Sequence, residues 1–240
     1  MYSVLEQLTP SFEQYFRVLY NYWEIGIARV SNHELALKLG LHPSTVTSNI
    51  NRIQEIIYKG ASLVINKKYY GVYLTKTGLQ VASQIERKFR IFETILDQMD
   101  FDLFEIAKEL QQNQFTYHLI ENIKKKCDPV ISFDYCPHGS SIPSGNRIGK
   151  LNERLIPVAM QELSETEKDY TFVKFDEFIF HVAGSGGDHY PKIADKLDKM
   201  NLQPGDTILI SKNNSNMMEL QADGVKVQIP IYLGNMIYTR

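Results

Sequence analysis

The chain has 240 residues, 43% of them hydrophobic and 22% charged, with a formal net charge of −2. That is long enough for two compact domains, and no window reaches the roughly 18 apolar residues of a membrane span, so no membrane partner is expected. Cys127 and Cys136 are too few for a disulfide framework and suit a reducing compartment; without a basic-then-apolar N-terminal signal, the expected location is the cytoplasm.

Residues 11–25 (SFEQYFRVLYNYWEI) place apolar and aromatic side chains at helical spacing and predict a supporting helix. Residues 31–53 (SNHELALKLGLHPSTVTSNINRI) carry the residue types of a helix-turn-helix in order. Ser31 followed by Glu34 is a capping-box pattern. Gly40 tolerates the positive φ at which the first helix ends, and Pro43 suits the first position of the second. Val46, Ile50 and Ile53 form its buried stripe. His42, Ser44, Thr45, Thr47, Ser48, Asn51 and Arg52 are then the candidate DNA contacts, because short hydroxyl and amide side chains at a helix start reach base edges and phosphates in a major groove.

Two short strands follow, Ala61 to Ile65 and Val72 to Leu74, joined by a basic, aromatic turn. That is a winged-helix hairpin in which Lys67, Lys68 and Tyr69 meet the phosphate backbone. Residues 1–75 hold seven Lys/Arg against five Glu, whereas the remainder holds nineteen against twenty-three acids, so positive charge concentrates where DNA would lie.

A long helix is predicted from Thr75 to about Met99, with a stripe of Val81, Ile85, Phe89, Phe92 and Leu96, and a second from about Asp102 to Lys126. Paired apolar helices behind a DNA-binding head suggest a homodimer seam, whose two-fold symmetry would match a palindromic double-stranded operator. From Cys127 to about Thr166, recurrent Pro and Gly mark a connection. Beyond it Tyr170–Val182, Asp206–Lys212, Met217–Gln221, Val225–Pro230 and Ile237–Arg240 read as strands and Tyr190–Met200 as a helix, the pattern of a small barrel. The expected domains are a winged helix over residues 1–75, a helical dimerisation domain over 76–140, a linker over 141–168 and a β domain over 169–240.

LTPSFEQYFRVLY, LGLHPSTVTSNINRI, YYGVYLTKTG, CPHGSSIP and LQPGDTILI stand in this order along the chain, and together they resemble the diphtheria toxin repressor family of iron- and manganese-dependent transcriptional regulators. The resemblance implies an α/β multidomain protein: winged helix-turn-helix, helical dimerisation domain and C-terminal SH3-like (FeoA-like) β-barrel. It also implies a homodimeric repressor activated by Fe²⁺ or Mn²⁺. Among the positions implied for metal ligands, this chain has Gln14, Arg17 and Phe89, with Gln111 and Gln114 (or Gln112 and Phe115) in the next helix; only Glu93 matches.

One carboxylate with neutral amides binds Mn²⁺ or Fe²⁺ poorly, and the guanidinium of Arg17 cannot lose its proton, so the usual ligands read as largely lost. Arg17 is expected to fill the charge position by pairing with Glu93 or Glu109, the alternative being a solvated surface charge. Cys136 and His138, two apart, read as a turn before a ligand pair; a rearranged Fe or Mn site would draw on Glu93, His118 or His138. The leading expectation is a DNA-binding regulator, a repressor, with degenerate ligands. The alternatives are a metal sensor with a rearranged site and an interaction protein working through the C-terminal barrel. No nucleophile–base pair or phosphate loop points to an enzyme, and Gly184-Ser185-Gly186-Gly187 lacks the Lys-Ser/Thr that a phosphate loop needs.

Overall fold

A computed structural model describes residues 2–5, 8–101, 116–128, 130–144, 155–157, 168–176, 191–212 and 216–239. The chain divides into two compact units. The first gathers the chain through Phe92 together with the helix Tyr117–Cys127; the second gathers residues from Glu93 at the end of the long helix, the turn Tyr135–Ser140, and the C-terminal residues from Leu155.

In the first unit α1 (Tyr2–Leu5) precedes α2 (Pro10–Glu24), which starts where the Thr9 hydroxyl accepts from the Phe12 amide and proline takes the first turn. In α3 (Asn32–Leu39) the capping box is complete: Ser31 accepts from the Glu34 amide and Glu34 from the Ser31 amide. Gly40 ends the helix at φ 63°, as its position required. The recognition helix α4 (Pro43–Gln54) buries Val46, Ile50 and Ile53. Asn49 donates to the Tyr15 hydroxyl at 3.0 Å, which ties α4 to α2.

A two-residue pair, β1 (Ile57–Tyr58) and β2 (Ala61–Ser62), precedes the wing proper. The wing strands are β3 (Val64–Lys67) and β4 (Gly71–Leu74), paired Val64 to Leu74 through Lys67 to Gly71. The first strand therefore begins three residues later than expected, because Ala61 and Ser62 are used in the smaller hairpin.

The helix α5 (Lys76–Asp97) begins at Thr75, whose hydroxyl accepts from the Gly78 amide at 2.9 Å. A Cβ at Gly78 would lie 1.8 Å from the Leu63 carbonyl oxygen, so backbone passes backbone there without room for a methyl group. Gly78→Ala is expected to destabilise by at least the ~1–3 kcal/mol of core overpacking, read as a lowered urea midpoint at unchanged m.

Of the stripe expected to form a dimer seam, Val81, Ile85 and Phe89 are buried within the chain, whereas Phe92 and Leu96 are half-buried. The second long helix is also interrupted. Residues 102–115 lie outside the described residues, and α6 (Tyr117–Cys127) starts afresh from an extended Thr116 whose side chain accepts from the Leu119 amide.

The second unit contains an antiparallel sheet ordered β5-β10-β6-β7-β8-β9, the expected SH3-like β domain. Its strands are β5 (Ile156–Pro157), β6 (Lys168–Phe175), β7 (Thr207–Lys212), β8 (Met217–Ala222), β9 (Val225–Pro230) and β10 (Ile237–Thr239). Two helices accompany it, α7 (Pro191–Lys199) and the single turn α8 (Ile231–Gly234). Strand β5 falls in the stretch expected to be linker. The far end of the expected first strand, residues 177–182, is outside the described residues. Alternate burial along β8, with Met218, Leu220 and Ala222 inward, is the period-two pattern of a sheet with one covered face.

Candidate DNA interface and metal centre

The recognition helix leaves a polar face open: Ser44, Thr45, Thr47, Ser48 and Asn51 are exposed. Part of that face is committed internally. The His42 ring caps the helix, with Nδ1 accepting from the Ser44 amide at 3.4 Å and lying 2.8 Å from the Ser44 hydroxyl. Thr47 donates to the Pro43 carbonyl and accepts from Asn32, each at 3.0 Å. The guanidinium of Arg52 lies 5.3 Å from the Phe12 ring, which places it against α2. Thr45, Ser48 and Asn51 are thus the members of the expected set whose side chains are not engaged by another of the described residues.

At the wing tip Tyr69 adopts φ 68° and is 91% exposed. Lys68 lies 5.1 Å from the Tyr69 ring and Lys67 4.8 Å from the Tyr70 ring, so each cation is steadied over a tyrosine face without losing access to water.

The positions expected to form a degenerate effector site divide between different environments. Arg17 donates to Glu86 at 3.3 Å, reaches Gln14 at 3.5 Å, and stacks 4.1 Å over the ring of Phe89. Glu86, which was not among the expected partners, thus pairs with it; the expected partner Glu109, and Gln111 and Gln114, lie outside the described residues. Arg17 belongs to a larger buried lattice between α2 and α5. Arg90 binds Glu24 at 2.6 and 2.9 Å, Asn21 at 3.2 Å and the Ser141 carbonyl at 2.6 Å, and its Nε lies 3.4 Å from Glu86. Lys88 donates to both oxygens of Glu13 at 2.6 and 2.7 Å. Burial pushes the Glu13 carboxyl up and the Lys88 ammonium down, in each case against their mutual attraction. Among the described residues three cations face three carboxylates there, so protein cations already partner these acids.

Glu93 sits elsewhere, in the second unit. Its carboxylate, the Cys136 sulfur and a His138 ring nitrogen lie within 4.8 Å of one another, all buried. Glu93 Oε2 is 3.5 Å from His138 Nδ1. The turn that carries the cysteine and the histidine is closed by Cys136 N to Ser140 O and Gly139 N to Cys136 O, both 2.9 Å. Gly139 has φ 80°, and a Cβ there would press on Val173 and Lys174 of β6 at 3.2 and 3.3 Å. Phe175 donates its amide to the His138 carbonyl at 2.7 Å, so strand β6 fixes the turn; the buried carboxylate of Asp176 follows directly. Burial also raises the Asp97 carboxyl, an effect that the Gln98 hydrogen bond and the charge of His138 oppose.

A thiolate, an imidazole and a carboxylate are donors for Zn²⁺ and Fe²⁺, and for Mn²⁺ less strongly because of the sulfur. Their separation suits a shared ion with bonds of ~2.0–2.3 Å after small side-chain adjustments. The reading of Cys136-Pro137-His138 as a turn holds, yet the turn also delivers two donors to Glu93, which spacing alone could not reveal. His118 is exposed on α6, and its neighbour Glu121 is taken by Arg87 at 2.6 and 3.1 Å, so neither joins the cluster.

Residues 7–72 match the family model described as the iron dependent repressor, N-terminal DNA binding domain. No curated protein matches the chain. Among solved structures it is similar to ScaR with bound Zn²⁺ (23% identity, TM-score 0.61, 95% of this chain and 98% of that one). It is also similar to the manganese regulator SloR (20%, TM-score 0.64, 97% and 99%) and to IdeR of T. acidophilum (16%, TM-score 0.61, 95% and 96%).

Proposed function

We propose that this chain, whose residues 7–72 are of the iron-dependent-repressor DNA-binding type and whose fold is shared by metal-dependent regulators, is a homodimeric transcriptional repressor switched by a divalent metal. The observation that carries the metal part is the buried Glu93–Cys136–His138 cluster. The reading departs from wholesale ligand loss: Arg17 and its neighbours replace ion binding between α2 and α5 with protein charges, while a second set of donors stays together. When bound, an ion supplies a positive centre that offsets the buried carboxylate of Glu93. Cys136 and His138 would hold it once deprotonated, and β6 keeps the turn in place.

On DNA, Thr45, Ser48 and Asn51 are the proposed groove contacts, with His42, Ser44 and Thr47 shaping the helix start and Lys67, Lys68 and Tyr69 on the backbone. A dimer would place two such helices in successive major grooves about one helical turn apart. Leu119 and Val130, 49% and 88% accessible, are exposed apolar side chains that a dimer seam would cover.

Fluorescence anisotropy on the DNA upstream of the protein's own gene tests the reading. Binding is expected to be tight with added Mn²⁺, Fe²⁺ or Zn²⁺ and weak in excess chelator; equal binding in both would sink the metal switch and leave a constitutive regulator. Lys67→Ala with Lys68→Ala is expected to lower the slope of log affinity against log salt by roughly one unit per lysine without changing sequence preference. An unchanged slope would remove the wing from the interface.

A further inference from the structure

A cleft of about 320 Å³ opens on the first unit, between α2, the wing and the first turn of α5. Leu19 and Trp23 form one wall, Tyr73 and Leu74 of β4 another, and Leu79 a third. The charged residue at this cleft is Arg29. Its guanidinium carbon lies 5.7 Å from the rings of both Tyr70 and Tyr73, and among the described residues no carboxylate pairs with it. The backbone next to it is fixed: Val30 and Val72 exchange amide hydrogen bonds of 2.9 and 2.8 Å, so the arginine is presented from a rigid rim.

We propose that this cleft binds a small hydrophobic monocarboxylate, with the acid on Arg29 and the apolar body against Trp23, Leu74 and Leu79. The volume is at the lower end of the ligand-site range, which suits a molecule of phenylacetate size. A guanidinium fork matches a carboxylate in two-point geometry, and a single positive charge among the described, mostly apolar lining residues matches a single negative one; a phosphate would bring a second charge with no second cation among them. The assignment uses none of the residues given to DNA or metal.

Trp23 is the chain's one tryptophan, so its emission reports on the cleft without labelling. The full chain, free of DNA, is titrated with phenylacetate and octanoate, and in parallel with 2-phenylethanol and 1-octanol. The expected result is a saturable emission change with both acids and at least about tenfold weaker binding of the alcohols. Arg29→Gln should abolish the preference for acid over alcohol, and Arg29→Lys should keep part of it, with far-ultraviolet circular dichroism unchanged in both. A non-saturable response, equal responses to acids and alcohols, or an Arg29→Gln protein that still prefers the acids overturns the proposal. It also fails if the acids leave Trp23 unmoved while Arg29→Gln weakens DNA binding and its salt dependence, since the arginine then serves the phosphate backbone.

Discussion

Stripping the purified protein with chelator and then adding Zn²⁺ or Fe²⁺ is expected to raise its melting temperature by roughly 5–10 °C at metal concentrations about a hundredfold above Kd. At that ratio, binding only to the folded state contributes about 2.7 kcal/mol, and a chain of this size shifts ~2–4 °C per kcal/mol. Cys136→Ser and His138→Ala should each remove most of the shift, because each deletes one of the three donors in the cluster. Gln14→Ala should leave it intact, since Gln14 touches Arg17 and takes no part in the cluster. A shift that survives both ligand substitutions would mean that the ion binds elsewhere. Equal shifts with Mg²⁺ would argue against a thiolate ligand, since Mg²⁺ takes oxygen donors.

Arg90→Met is expected to be the most damaging single change outside the apolar core, costing about 3–5 kcal/mol and lowering the melting temperature by on the order of 10 °C. The substitution leaves Glu24 and Glu86 buried without the guanidinium that now lies 2.6 Å from one and 3.4 Å from the other. Glu13 and Lys88 provide a sharper version. Burial disfavours the charged form of each partner, so Glu13→Gln and Lys88→Met should each destabilise, and the double substitution should cost less than the two single costs added together. Additive costs in that cycle would show that the two groups do not interact across the helices.

The winged helix was legible because its determinants are local. A capping box, a glycine at positive φ and a proline in the first turn each act within a few residues, and the structure places Ser31, Gly40 and Pro43 in those roles. The β strands near the C-terminus were legible for the same reason, their alternation being visible over six residues at a time. What the residues could not disclose was pairing over distance. Arg17 has an obvious need for an acid but several to choose from, and that Glu86 of α5 faces it depends on helix rotation. Glu93 then turned out to meet a cysteine and a histidine more than forty residues away. A Cys-Pro-His-Gly turn looks the same in sequence whether or not a carboxylate waits beside it. The stripe of α5 is buried at Val81, Ile85 and Phe89 and half-buried at Phe92 and Leu96, and periodicity reports that a face is covered and not by what.

The balance of buried acids and bases across α2 and α5, three of each among the described residues, also governs how such a protein can drift. A lone exchange at Glu13, Arg17, Glu24, Glu86, Lys88 or Arg90 strands a charge away from water, whereas a reciprocal exchange such as Glu13→Lys with Lys88→Glu restores the match. Sequence change at this interface therefore proceeds two positions at a time. Thr45, Ser48 and Asn51, exposed on the recognition helix, carry no such debt to a partner. With the DNA contacts proposed above, operator preference would be rewritten there in single steps while the frame beneath it stays as it is.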